Sequence, residues 1–147
     1  MVVDAASCSE GLHEMLSGEK DLAVMDAVDF VDQHVLSRLP TGTRLPSLVL
    51  HPTCSSTRLG IDGALGRLAA AVADEVLVPA DWSCCAFAGD RGLLHPELTA
   101  SATAVEAANV PVATAYASLN RTCELGMTRA TGRSYRHVLE LLAEVTT

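Results

Sequence analysis

With 147 residues, 49% of them hydrophobic, and a mean hydropathy of +0.28, the chain can bury a substantial core as a single domain spanning 1–147. A net charge of -8, with one lysine among ten basic residues, excludes the basic surface that nucleic-acid binding draws on. No run reaches the roughly 18 apolar residues of a membrane span, and no basic segment leads into a signal-peptide core. The expected setting is cytoplasmic, or at a membrane surface through partners.

Short apolar runs alternate with helical periodicity, which predicts an α/β domain: a mostly parallel sheet of about four strands flanked by helices. Val2-Val3 reads as the first strand. It follows Met1 so closely that the chain reads as the C-terminal piece of a longer protein, with a natural start at Met1 as the alternative. Val24, Val28, Val31, Val35 and Leu39 recur at spacings of three or four and predict a helix from about Asp21 to Leu39, stopped by Pro40. Pro40 to Pro46 is a predicted loop. Leu48-Val49-Leu50 is the second strand, and Ile61, Leu65, Leu68 and Val72 form a crossover helix ending near Asp74.

Val76-Leu77-Val78 is the third strand. Leu94, Leu98, Ala102 and Val105 then form an apolar stripe, with Pro96 and Glu97 suited to the first turn of its helix. The run from Val112-Ala113 through Tyr116-Ala117 is the fourth strand. Tyr135, Val138, Leu139, Leu142 and Val145 form the last helix, after Gly132.

Each strand-like run hands over to cysteine: the first to Cys8, the second to Cys54, the third to Cys84-Cys85 and the fourth to Cys123. If the strands are parallel, their carboxyl ends share one edge, and the five sulfurs converge there as a site. An odd set of five cysteines in a reducing compartment favours metal or redox chemistry over a disulfide framework. Thiolates ligate soft metals and iron-sulfur clusters, and Arg58, Arg91 and Arg129, each behind a cysteine, with Arg121 two positions before Cys123, could offset their charge. Five sulfurs exceed the four of a structural zinc site, and no Cys-x-x-Cys knuckle exists, since Gly126 stands three positions after Cys123. Gly60, Gly63 and Gly66 lack the lysine of a phosphate-binding loop, and no serine has a nucleophile-elbow context.

Four segments carry a resemblance: His51-Pro52-Thr53-Cys54-Ser55-Ser56, Cys84-Cys85-Ala86-Phe87-Ala88-Gly89-Asp90-Arg91-Gly92, Leu94-His95-Pro96-Glu97-Leu98-Thr99, and Asn120-Arg121-Thr122-Cys123-Glu124-Leu125-Gly126-Met127. Together they resemble the cysteine-rich CCG domain of heterodisulfide reductase subunits and of glycolate and lactate oxidoreductases. The likeness is strongest to the C-terminal portion of D-lactate dehydrogenases that combine FAD and iron-sulfur domains. Two positions depart from the family pattern. Gly126 replaces the last cysteine, as in the lactate-type branch, and Ala86 replaces a glycine.

The resemblance implies a metal centre held by Cys54, Cys84, Cys85 and Cys123, with Cys8 as the replacement ligand inferred from its strand-end position. His51, Arg91, His95, Asn120 and Arg121 are candidates for the surrounding shell, Asn120 and Arg121 as donors to cluster sulfurs. The implied cofactor is an iron-sulfur cluster, 4Fe-4S or non-cubane, with zinc as the alternative and FAD only in the parent chain.

The expected function is electron transfer within a flavin-dependent 2-hydroxy-acid dehydrogenase, D-lactate being the expected substrate. Its expected partners are flavin and ferredoxin-like domains and an acceptor such as a quinone or cytochrome. No residue of this domain is expected to be catalytic, and the isolated domain should not oxidise lactate. The alternatives are a zinc-binding or metal-free module docking a redox partner, and a thiol-disulfide redox domain.

Overall fold

The computed structural model describes residues 1–40 and 42–147. The chain opens with β1 (Val2–Val3), α1 (Ala6–Met15), β2 (Met25–Asp26) and α2 (Ala27–His34), followed by a single 3-10 turn. β3 (Leu45–Leu50), α3 (Cys54–Leu59), α4 (Asp62–Val72) and β4 (Ala73–Leu77) make the first crossover. The second runs through α5 (Arg91–Leu94) and α6 (Pro96–Asn109) to β5 (Ala115–Ser118), and α7 (Arg121–Thr131), β6 (Tyr135–His137) and α8 (Val138–Val145) complete the fold.

The main sheet is parallel, with strand order β4-β3-β5-β6. From β3 the chain steps outward to β4 and then returns to β5 on the other side. The winding direction therefore reverses between β3 and β5, the kind of point at whose carboxyl edge open α/β sheets take ligands.

Alternation along β3 divides the interior. Leu48 and Leu50 join Leu65, Leu68 and Val72 of α4 and Leu141 and Leu142 of α8 in an aliphatic core. Val49 packs on the opposite face with Tyr116, Met127 and Tyr135. A fully buried leucine or valine contributes roughly 1.5–3 kcal/mol of transfer free energy, and the α4 stripe supplies three of them.

Several elements differ from the sequence expectation. Val2–Val3 pairs in parallel with Met25–Asp26 in a separate two-stranded sheet and does not enter the main one. That pairing uses residues assigned to the Asp21–Leu39 helix, which instead begins at Ala27, where Asp26 Oδ1 accepts the Val28 N–H at 2.9 Å. Helix α1 is absent from the expectation.

Tyr135–His137 is a strand, paired with Tyr116–Ser118, so tertiary pairing overrides the apolar spacing that placed Tyr135 on a helix. The predicted 40–46 loop includes Thr41, which lies outside the described residues, while Pro46 belongs to β3. Pro46 precedes the stretch of β3 that pairs with β5, so its missing N–H interrupts no central ladder.

The largest correction concerns α6. Leu94, which ends α5, and Val105 are 70% and 61% exposed, whereas Thr99, Thr103 and Glu106 form the buried side of α6. No helix among the described residues is long and apolar enough to cross a membrane.

Candidate functional site

Three of the cysteine-bearing segments leave β3, β4 and β5 at their carboxyl ends. Cys54 is the first residue of α3, and its direction is set by a capping box: Thr53 Oγ1 accepts the Ser56 N–H and Ser56 Oγ accepts the Thr53 N–H, both at 3.1 Å. Cys84 and Cys85 lie in the irregular loop after β4, and Cys123 lies in the first turn of α7.

The four sulfurs stand as two pairs. Cys85 Sγ and Cys123 Sγ are 2.7 Å apart and buried, while Cys84 Sγ and Cys54 Sγ are 3.8 Å apart at the more exposed rim. The Ala86 N–H donates to Cys84 Sγ at 3.4 Å.

The loop around these cysteines is shaped by backbone strain and by close approach. Ala86 and Ala88 adopt φ values of 52° and 45°, in the left-handed region that costs an alanine about 1–2 kcal/mol. Phe87 between them is buried against Cys85 and Cys123. Gly92 and Gly126 make room for its ring: a methyl group on Gly92 would meet Phe87 Cγ at 2.5 Å, and one on Gly126 would meet Thr99 Cγ2 at 3.1 Å and Phe87 Cδ2 at 3.3 Å.

Beneath the inner pair lies a buried histidine and its carboxylate. His51 extends β3 by one residue, its N–H donating to Ala117 O at 2.9 Å, and alternation turns its ring toward the α6 side with Val49. His51 Nδ1 is 2.8 Å from Glu106 Oε1, and both side chains are essentially inaccessible. Trp82 and Tyr135 stand edge-on to the imidazole, with ring centroids 6.4 and 6.5 Å away.

The His51 ring stands against the Cys85 sulfur. Nε2 falls short of a full hydrogen bond, yet the two groups shift each other's titration. Burial pushes the imidazole down, but the Cys85 thiolate and the Glu106 carboxylate outweigh it and raise its pKa to about 9. Cys85 is lowered to about 5, first by the hydrogen bond from Cys123 and then, against burial, by His51 and the Phe87 N–H. Cys123 moves the other way, because its proton is shared with the neighbouring thiolate and its site is buried. At the rim, burial raises the Cys84 thiol. The Arg58 guanidinium, paired chiefly with Glu10, also feels the charges of Cys54 and Cys84.

The remaining expected residues lie elsewhere. Cys8 is exposed on the first turn of α1, with no hydrogen-bonding partner for its sulfur among the described residues. Its strand nevertheless ends on the same edge, because the Ser7 N–H donates to Asn120 Oδ1 at 3.3 Å. That bond uses the Asn120 side-chain oxygen as acceptor; the Nδ2 group, its only side-chain donor, makes no hydrogen bond among the described residues. Arg121 Nη1 donates to Glu124 Oε2 at 3.0 Å, Arg91 is exposed without a side-chain partner among the described residues, and His95 Nδ1 reaches Glu97 Oε1 at 3.2 Å on the surface.

Glu106, the buried partner of His51, is the residue of this site that sequence reasoning missed. Its signal was present in the i, i+4, i+7 spacing of Thr99, Thr103 and Glu106, but the apolar alternative on the same helix looked more like a core stripe.

Four thiols from three loops are donors of the type that soft metals and iron-sulfur clusters take. Among the described residues no three His, Cys, Asp or Glu side chains are gathered closely enough to hold a single metal ion. No protein-family model matches the chain, and no curated protein matches it.

Proposed function

We propose that the domain is an electron-transfer module whose cysteines hold an iron-sulfur cluster, serving a flavin-dependent dehydrogenase of 2-hydroxy acids such as D-lactate. The observation that carries this reading is the meeting of four sulfurs from the loops after β3, β4 and β5 at the point where the sheet reverses its winding. Cys54, Cys84, Cys85 and Cys123 would hold the cluster, and Cys8, at the same edge, is the candidate fifth ligand. When bound, such a group supplies one-electron carriage.

The chain's own residues do the rest. Phe87 and α6 keep water from Cys85 and Cys123. His51, held by Glu106, orients toward Cys85 and sets a positive charge beside a thiolate-rich site. Ala86 and the Phe87 N–H fix the loop that presents Cys84 and Cys85.

Anaerobic purification followed by iron and sulfide analysis and visible absorption tests the reading. Near-stoichiometric iron and sulfide, lost in Cys85→Ser with the fold intact, is the expected result. Colourless, metal-free protein whose stability is unchanged by added iron and sulfide overturns it. Zinc in place of iron would favour the docking module.

A second reading is favoured by the 2.7 Å separation of Cys85 and Cys123. As a thiol-disulfide couple they would form an S–S bond while a partner disulfide takes two electrons and two protons. Mass spectrometry of the oxidised protein distinguishes this case, by a loss of about two mass units confined to those two cysteines.

A further inference from the structure

A second opening lies further along the same edge of the sheet, and the cysteines do not contribute to it. It has a volume of about 380 Å3 and is lined by Asp4 and Ala5 after β1, Arg121 and Glu124 at the start of α7, and His137, Leu139 and Glu140 where β6 enters α8. It therefore lies beyond the carboxyl ends of β1, β5 and β6, the end at which α/β sheets take ligands. The volume is within the range of small-molecule sites.

Two residues that line this opening each carry a buried polar atom without a partner among the described residues. Glu124 is 2% exposed; its Oε2 accepts from Arg121, while its Oε1 accepts from nothing among the described residues. His137 Nδ1 accepts the Leu139 N–H at 3.2 Å, which leaves the ring proton on Nε2, and that N–H is also unpaired. An orphaned buried polar group costs about 1–3 kcal/mol, so an unmatched acceptor and an unmatched donor on one cavity call for an occupant that satisfies both.

Charge narrows the class of occupant. Asp4 and Glu124 supply negative charge, and Glu140 adds to it while pairing with Arg136. The remaining Arg121 N–H groups, His137 Nε2–H and the first turns of α7 and α8 supply donors suited to a carboxylate. A simple anion meets the acids, and a simple cation meets Arg121. A molecule carrying both charges a few ångströms apart meets neither penalty, and Ala5 and Leu139 leave an apolar wall for a small side chain.

We infer that this cavity binds a small α-amino acid, its ammonium group donating to Glu124 Oε1 beside Asp4 and its carboxylate accepting from His137 Nε2–H and Arg121. The inference is independent of the iron-sulfur reading.

The test is amide-resolved NMR titration of the full chain with L-alanine, L-serine, D-lactate, methylamine and acetate. The expected result is saturable shifts at Asp4, Glu124, His137 and Leu139 with the amino acids, at least tenfold weaker binding of methylamine and acetate, and at least a tenfold loss of amino-acid affinity in Glu124→Gln. The His137→Asn variant, whose Oδ1 can still accept the Leu139 N–H while the Nε2–H is lost, should weaken carboxylate recognition in the same way and guards against a Glu124 variant that does not fold. D-Lactate binding as tightly as L-alanine overturns the requirement for an ammonium group. Absence of saturable shifts with either amino acid, or shifts untouched by both substitutions, leaves the two atoms to ordered water and overturns the proposal.

Discussion

On one face of the sheet, α4 and α8 lay Leu65, Leu68, Leu141 and Leu142 against Leu48 and Leu50; on the other, α6 turns Thr99, Thr103 and Glu106 inward, toward His51 and the loop of Cys85. Both layers are buried, but only the first is made of groups that need no partner. The second layer keeps a carboxylate, an imidazole and two thiols out of water, which costs free energy unless each is hydrogen-bonded or paired. Its remaining unpaired atoms, His51 Nε2, Glu106 Oε2, Thr99 Oγ1 and Tyr135 Oη, are concentrated in the same layer. Stability thus resides on the α4/α8 side, and the α6 side is organised around the sulfurs at a cost in stability.

The largest effect that tests this contrast is Leu68→Ala, at a position fully inaccessible in α4. It should destabilise by about 2–5 kcal/mol through lost burial and a cavity, read from urea unfolding. An effect below about 1 kcal/mol would remove the α4/α8 core from its supporting role. Next comes Gly92→Ala, whose methyl group meets the Phe87 ring. About 1–3 kcal/mol should be lost, together with metal content, because Phe87 packs directly on Cys85 and Cys123.

Titration of the metal-free protein addresses the other layer. Cys85, lowered from 9.0 to about 5, contributes stability that is complete above 9.0 and is lost as pH falls through about 5. His51, raised from 6.5 to about 9, contributes stability that is complete below 6.5 and is lost as pH rises through about 9. Iodoacetamide labelling followed by mass spectrometry should therefore show a Cys85 thiolate persisting to about pH 5, and Glu106→Gln should lower the pH at which the His51 contribution is lost. A Cys85 titration near 9, as for a free thiol, would break the link between His51 and the sulfurs.

The smallest effect expected is a gain. Ala86→Gly relieves a φ of 52° and should stabilise the metal-free protein by about 1 kcal/mol or leave it unchanged, the glycine's greater unfolded-state entropy opposing the relief.

Much of the architecture was legible in the chain. Alternating apolar runs and helical stripes specify a parallel α/β sheet, because buried strands and crossover helices each impose their own period on the residues they bury. The handover to Cys54, Cys84, Cys85 and Cys123 was equally visible, since strand ends are marked by local composition.

Periodicity does not reveal which of two stripes on one helix faces inward. The predicted apolar stripe runs from Leu94, which ends α5, to Val105 of α6, while α6 also carries a polar stripe through Thr99, Thr103 and Glu106, and His51 on the facing sheet made the polar one the interior. The strand at Tyr135–His137 likewise depends on β5 lying beside it, and β1 was drawn from the main sheet by Met25–Asp26.

The sequence by itself thus determined the fold class and the convergence of sulfur at the carboxyl edge, both consequences of local pattern. Only the tertiary structure decided the division of those sulfurs into an inner and an outer pair, the placement of Cys8 apart from them, and the burial of Glu106 beneath His51. The sulfur pairs and the burial of Glu106 arise from contacts between residues 30 to 55 positions apart, and the place of Cys8 from a contact 113 positions apart; such contacts exist only once the layers have packed.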